Sequence, residues 1–334
     1  LGHATIVTGV VMAGVSGSAN ADTSALASIL VPIMRKDGYD DGYSCALVSS
    51  CGALGPVIPP SIMMVLYSGV TSIAIGKLFM AGIIPGLVIA IGYMVVNGVY
   101  ARKAGIPKSK FVGWKALGQD TLKALSALIM PVIILGGIYG GLVTPTEAAV
   151  LSVLYALIYG LVTKEIKVNV LWTVLSKTVL TSAVVTFIIS VAKTFGWILS
   201  KTRLPAIIGA AIMEVIPNKW VYLAVLMVLL FLVGCLMDTI PSILILAPIL
   251  VPVGVQLGCN ELHLGVLFCI TLTVGFITPP FGINLFTAVS TTGESYTSVV
   301  KGVIPFMIVM IICVLICAFV APIITFLPGF MMGT

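Results

Sequence analysis

The chain has 334 residues, 60% of them hydrophobic and only 8% charged, with a formal net charge of +6 and a mean hydropathy of +1.22. A soluble domain carries about a quarter of its residues as charged side chains, so this composition excludes one. The apolar stretches are long and broken by Gly and Pro instead of alternating, which excludes a barrel and predicts an all-α polytopic membrane protein.

The chain opens at Leu1 without an initiator Met and is read as lacking an N-terminal portion. Residues 1–100 form a first repeat. As one straight helix, residues 1–34 would be about 50 Å long, too much for one crossing. Split at the polar cluster Gly14-Val15-Ser16-Gly17-Ser18-Ala19-Asn20-Ala21-Asp22-Thr23-Ser24, each arm is roughly 20 Å, too short to span. A re-entrant hairpin over 1–36 with its tip at mid-membrane fits both lengths; a long kinked helix around a satisfied polar patch is the alternative. Residues 39–69 follow as a crossing broken at Gly55-Pro56-Val57-Ile58-Pro59-Pro60. Proline removes a backbone donor and disfavours helix in the residue before it, so two in a row unwind the segment. A transmembrane helix over 78–100 closes the repeat. The basic loop 101–120 holds Arg102, Lys103, Lys108, Lys110 and Lys115. Residues 121–216 read as scaffold and connecting helices. A second repeat at 217–325 comprises a hairpin at 219–256, a broken helix at 262–291 and a transmembrane helix at 300–325.

Three basic loops set the orientation. Arg35 with Lys36, the 101–120 loop, and Lys164 with Lys167 are cytoplasmic by the positive-inside rule. Lys193, Lys201 and Arg203 crowd one region and fit no simple loop. The basic residues are explained by topology, so no nucleic-acid partner is expected. The seven Cys form no C-x-x-C pair and read as small buried hydrophobes. His3 and His263 lack ligand-spaced partners, which leaves no support for a zinc site.

Self-similarity is the most informative feature. Asp22-Thr23 followed by Pro32-Ile33 matches Asp238-Thr239 followed by Pro248-Ile249, an offset of 216 residues (22 to 238). Gly55-Pro56-Val57-Ile58-Pro59-Pro60 matches Gly275-Phe276-Ile277-Thr278-Pro279-Pro280, and Gly82-Ile83-Ile84-Pro85 matches Gly302-Val303-Ile304-Pro305, at an offset of 220 (55 to 275). A four-residue change in a connecting loop accounts for the difference. The orientation count runs the two copies in opposite directions, the inverted-repeat plan of secondary transporters. Unwound backbone in hydrocarbon survives only where protein or a water-filled cavity covers it. Its free carbonyls, beside tip hydroxyls and amides, offer oxygen ligands for a small cation, and half-helix N-termini favour an anion. Two cation sites with a shared substrate site follow; proline pairs as mere packing kinks remain the bland alternative. Asp22 and Asp238 are equivalent in this alignment, each either a cation ligand or the N-cap of the second hairpin arm.

These residues resemble the large membrane subunit of the TRAP (tripartite ATP-independent periplasmic) transporters, of the dicarboxylate or sialic acid type. The likeness rests on Gly14-Val15-Ser16-Gly17-Ser18 through Ala25-Leu26-Ala27-Ser28, on Gly38-Tyr39, and on Gly55-Pro56-Val57-Ile58-Pro59-Pro60-Ser61. Leu78-Phe79-Met80-Ala81-Gly82-Ile83-Ile84-Pro85-Gly86 and Thr278-Pro279-Pro280-Phe281-Gly282 extend it over essentially the whole chain. The resemblance implies an elevator-type carrier of the bacterial inner membrane that uses at least two Na+ ions and has no catalytic residues. It implies three partners: a small four-helix membrane subunit, separate or fused; a periplasmic substrate-binding protein; and a small organic acid as substrate. Carried over by residue, the first sodium site would use Ser16, Ser18 and Asn20 with the carbonyls of Gly52, Gly55 and Val57. The second would use Gly234 and Met237 with Thr273, Gly275 and Thr278. Ser18, Ser61 and Asp238 would line the substrate region.

Arg203 precedes Leu204-Pro205, and its guanidinium could pair a substrate carboxylate bidentately, or it could snorkel at the interface beside Lys201. Two other function classes remain to be weighed. An intramembrane aspartyl protease would need Asp22 and Asp238 within hydrogen-bonding distance, sharing a proton. A passive channel would need neither a sodium gradient nor a binding protein.

Overall fold

Segments this poor in charge satisfy their backbone internally, as helices. The computed structural model describes residues 1–71, 73–106, 113, 118, 121, 125–126, 128–164, 166–202, 207, 214, 216 and 218–332. The chain falls into two compact units, Leu1–Phe111 with Pro205–Thr334, and Val112–Leu204. Among the described residues the structure is helical with no strand. Among the described residues six helices are long and apolar enough to cross a bilayer, so the chain is an all-α, multi-pass membrane protein.

The first unit opens with α1 (Gly2–Ser16) and α2 (Ala19–Lys36). Then come α3 (Asp41–Gly52), α4 (Ile62–Val70) and α5 (Ile75–Lys103). Its second half holds α9 (Lys219–Leu236), α10 (Thr239–Gln256), α11 (Glu261–Val274), α12 (Ile283–Thr292), α13 (Tyr296–Phe319) and α14 (Pro322–Met332). The second unit holds α6 (Leu128–Tyr139), α7 (Pro145–Val162) and α8 (Val168–Lys201). α7 starts on a capping box: Glu147 N–H donates to Thr144 Oγ1, and Thr144 N–H donates to the Glu147 carboxylate. Lys193 and Lys201, which fit no loop in the sequence, lie within and at the end of α8. Arg203 lies outside the described residues.

The core of the first unit is built on α3 and α11. Every residue from Gly42 to Gly52 and from His263 to Val274 is buried. A helix buried on all faces must silence its polar side chains, and α3 does so through its own backbone. Ser44, Ser49 and Ser50 donate to the carbonyls of Asp40, Cys45 and Ala46 at 2.7–2.8 Å. Small residues then allow close approach: a Cβ on Gly302 of α13 would sit 3.0 Å from Ala46 Cβ and from Gly42 O. All seven cysteines are free and buried.

The repeats are plain in the helix boundaries and correct the sequence alignment. α1 and α9 end at Ser16 and Leu236, and α2 and α10 cover Ala19–Lys36 and Thr239–Gln256. Gly38 and Gly258 carry φ of 86° and 83°, and Asp40 and Asn260 cap α3 and α11. All are offset by 220, the offset of the proline pairs, so no residues are gained or lost in a connecting loop. Asp238 therefore occupies the place of Ser18, as N-cap of the second arm. The partner of Asp22 is Ser242, one helical turn inside. The Asp-Thr match at 216 is a coincidence one turn out of register, which helical periodicity makes easy to accept.

The arms are also longer than the sequence estimate. α2, α9 and α10 have 18 residues each, about 27 Å at 1.5 Å per residue. Length therefore does not exclude a crossing; the position of the tips carries the hairpin reading instead. Both tips abut the breaks in the α3–α4 and α11–α12 segments. The half-helix after each break crosses to the other repeat, α12 packing on α2 and α4 on α10.

Candidate transport site

The first hairpin turns at Gly17, whose φ of 61° and closeness to the Pro60 carbonyl both require glycine. Ser18 follows in extended conformation and α2 begins. Below the turn, Ser16 Oγ donates to Asp22 Oδ1 at 2.5 Å and accepts from Ser18 N–H at 3.1 Å. Asp22 is thus not the cap of its arm; its carboxylate reaches back across the break. Its other oxygen, Oδ2, is buried with no hydrogen-bond partner, and so is Thr23 Oγ1.

Both orphaned atoms face the broken helix. A Cβ on Gly55 would lie 2.8 Å from Asp22 Oδ2, and one on Gly52 would overlap Thr23 Oγ1. Buried oxygens without donors are costly, and a bound cation is a remedy that uses them all at once. Of the six residues the sequence assigns to this site, Ser16, Gly52, Gly55 and the backbone of Ser18 come together here. Thr23 was missed, and its side chain joins them. Two expected members lie elsewhere. Asn20 is exposed and its Oδ1 accepts from Thr287 Oγ1 of α12 at 3.4 Å, while the carbonyl of Val57 packs against Gly82 of α5.

The second break is held differently. Gly275 packs directly on the Gly234 carbonyl, and a Cβ on Gly234 would come 2.5 Å from Leu272 O. Thr273 Oγ1 donates to Cys269 O at 2.7 Å and Thr278 Oγ1 to Val274 O at 2.8 Å. Met237 is exposed in extended conformation just before the cap. The second site thus brings Gly234 and Gly275 together and keeps two threonine oxygens near the break, with no buried carboxylate beside them among the described residues.

Between the tips lies a cavity of about 150 Å³ lined by Ser18 and Asn20 from one hairpin, Asp238 and Thr239 from the other, and Pro56 and Phe276 from the two breaks. The helix N-termini of α2 and α10 both end on it, each adding partial positive charge. Asp238 Oδ1 accepts from Ile240 N–H at 3.3 Å, so the capping alternative is realised while its other oxygen is left for the cavity. Ser18 makes no side-chain cap bond. Ser61 is buried, donates to Pro56 O at 2.5 Å and caps Met64 N–H, so its hydroxyl closes the broken segment. Among the described residues no group of three or more His, Cys, Asp or Glu forms a metal cluster.

Residues 1–323 match the sequence model described as the DctM component of the tripartite ATP-independent periplasmic transporter. The chain belongs to this TRAP large-permease family. It is 36% identical to the isethionate TRAP transporter permease protein DctMQ of Oleidesulfovibrio alaskensis, over 98% of this chain and 52% of that protein. It is 34% identical to the sialic acid TRAP transporter large permease protein SiaM of Vibrio cholerae, over 100% of the chain and 78% of the relative. It is 36% identical to the ectoine TRAP transporter large permease protein TeaC of Halomonas elongata, over 89% and 70%. The chain thus spans about half of the first relative and roughly three quarters of the others. These relatives are permeases and not enzymes, and the two TRAP-permease aspartates here have separate partners, Ser16 for Asp22 and the α10 backbone for Asp238. A shared-proton aspartyl dyad is not formed.

Proposed function

We propose that this TRAP permease chain carries out sodium-coupled uptake of a small organic acid by an elevator mechanism. The unit that holds both hairpins and both broken helices would move the site across the bilayer against a static scaffold. One observation carries the reading: a cavity closed by two half-helix N-termini, with buried, unpartnered Asp22 Oδ2 and Thr23 Oγ1 just behind one of them. The N-termini favour the acid group of the substrate, and the orphaned oxygens suit Na+. Na+ is here a co-transported substrate whose binding to Ser16, Asp22, Thr23 and the Gly52–Gly55 backbone would fix the tip. At the second site, Gly234, Met237, Thr273, Gly275 and Thr278 would supply carbonyls and hydroxyls for another ion. Isethionate, sialic acid and ectoine, the solutes named for the relatives, each carry a carboxylate or sulfonate, and the small cavity favours the lower end of that size range. A periplasmic binding protein would deliver the solute. A small membrane subunit would complete the scaffold, and the DctMQ relative is consistent with a fused form.

The test is uptake by reconstituted vesicles across a sodium series. Asp22→Asn removes the buried charge but keeps the shape. Losing a charge-assisted contact of about 1.5–3 kcal/mol should raise half-saturating sodium by roughly tenfold or more. An unaltered sodium dependence with normal expression would remove the first cation site.

A further inference from the structure

Away from the transport site, a cleft of about 750 Å³ opens between α3, α5 and α13. It lies at the end of the unit where Arg102 and Lys103 finish α5, the end that the positive-inside rule assigns to the cytoplasm. One wall is apolar, formed by Val95, Val99 and Pro305, and Val95 and Val99 are 61% and 49% exposed. Its rim carries two cations, Lys103 and Lys301. Among the described residues neither lysine has an ion-pair partner; the ion pair found nearby joins Arg35 to Asp41 at 2.7 Å. One carboxylate, Asp40, also lines the cleft, but its Oδ1 is engaged by Tyr43 N–H at 2.9 Å. The floor is rigid: the rings of Tyr43 and Tyr100 stack with centroids 3.4 Å apart.

We propose that this cleft binds one anionic phospholipid of the cytoplasmic leaflet, its phosphate between Lys103 and Lys301 and an acyl chain along Val95, Val99 and Pro305. Two observations select a lipid over a free anion. The apolar wall continues from the lysines down the exposed side of α5 through Ile91 and Leu87, where a soluble anion would leave it bare. Lys103 lies in the last turn of α5, the end that the positive-inside rule assigns to the cytoplasmic surface, where anionic leaflets attract basic side chains by about fivefold in affinity per residue. Since α5 and α13 close the two repeats, a lipid there would tie the inverted copies together at one end.

The full-length permease, purified in detergent, would be melted with added phosphatidylglycerol, phosphatidylcholine or inorganic phosphate. Phosphatidylglycerol should raise the midpoint well beyond phosphatidylcholine, by mass action on the folded state. The K103Q/K301Q protein should need roughly 30-fold more phosphatidylglycerol for the same shift, whereas K36Q, outside the cleft, should respond as the parent does. Native mass spectrometry gives a second readout that does not depend on stability: retained phosphatidylglycerol should fall in the double variant and not in K36Q. Equal responses of parent and double variant in both measurements would overturn the proposal. So would an equal shift with phosphatidylcholine, or with inorganic phosphate alone, which would mean general lipid packing or a simple anion site.

Discussion

The two hairpins share a backbone and exchange their chemistry. In the first, the second arm starts at Ser18 and carries its carboxylate one turn in, as buried Asp22 bonded to Ser16. In the second, the arm starts at Asp238, exposed to the cavity, and the hydroxyl lies one turn in, as buried Ser242 bonded to Asp238 O at 2.7 Å. The packing against the breaks shifts as well. Gly55 meets Ser18 and Asp22, whereas Gly275 meets Gly234, four residues before the second cap. A symmetric frame has thus placed one carboxyl group behind a tip and the other in the cavity. The lesson is that a repeated backbone does not entail two equal sites: the first break has a buried carboxyl beside it, the second only carbonyls and hydroxyls.

The comparison breaks most sharply at the two glycines. An added Cβ at Gly275 overlaps the Gly234 backbone, which cannot swing away, while at Gly55 its closest contact, at 2.8 Å, is a side-chain oxygen that can, with backbone no nearer than 3.2 Å. Gly275→Ala is expected to destabilise the permease by about 2–3 kcal/mol or to prevent folding, as overpacking does. Gly55→Ala is expected to fold with a smaller loss and to weaken sodium activation by displacing Asp22. Melting in detergent ranks the two, and an equal loss for both would erase the proposed asymmetry.

Much of this frame is legible in the chain, because proline pairs and glycine-rich turns act through the backbone and leave fixed spacings. Both prolyl pairs and both tips stand where residue order puts them. The register of Asp238 was not legible, since a four-residue slip on a helix keeps every side chain on its face. A constant offset through Pro32 and Pro252, Gly38 and Gly258, and the caps Asp40 and Asn260 would have corrected it. Side-chain direction was less accessible still. Nothing in the spacing tells that Asn20 turns to Thr287, that Ser61 closes on Pro56, or that Thr23 faces Gly52.

Next in size is the contrast between charge and cap at Asp238. Asp238→Asn keeps an oxygen for Ile240 N–H and should leave the melting midpoint nearly unchanged, since Asn and Asp cap about equally. Uptake should nonetheless fall several-fold, because the free carboxylate oxygen in the cavity is lost. Asp238→Ala loses both functions, and should add a destabilisation of about 1 kcal/mol. If the Asn variant transports normally, the carboxylate serves the helix alone and the cavity reading loses its charged member.

The smallest effect sharpens the comparison from the other side. Ser18 is the structural partner of Asp238 but makes no side-chain cap bond, so Ser18→Ala should change stability by less than about 0.5 kcal/mol. The same Ala substitution at the two caps therefore separates a residue that holds its helix from one that is free to bind. If Ser18 serves the cavity, its Ala variant should melt like the parent while half-saturating substrate rises a few-fold. A Ser18→Ala protein with a lowered midpoint and unchanged uptake would reverse the assignment, making both hairpins capped alike and leaving Asn20 as the polar side chain of the first hairpin tip in the cavity.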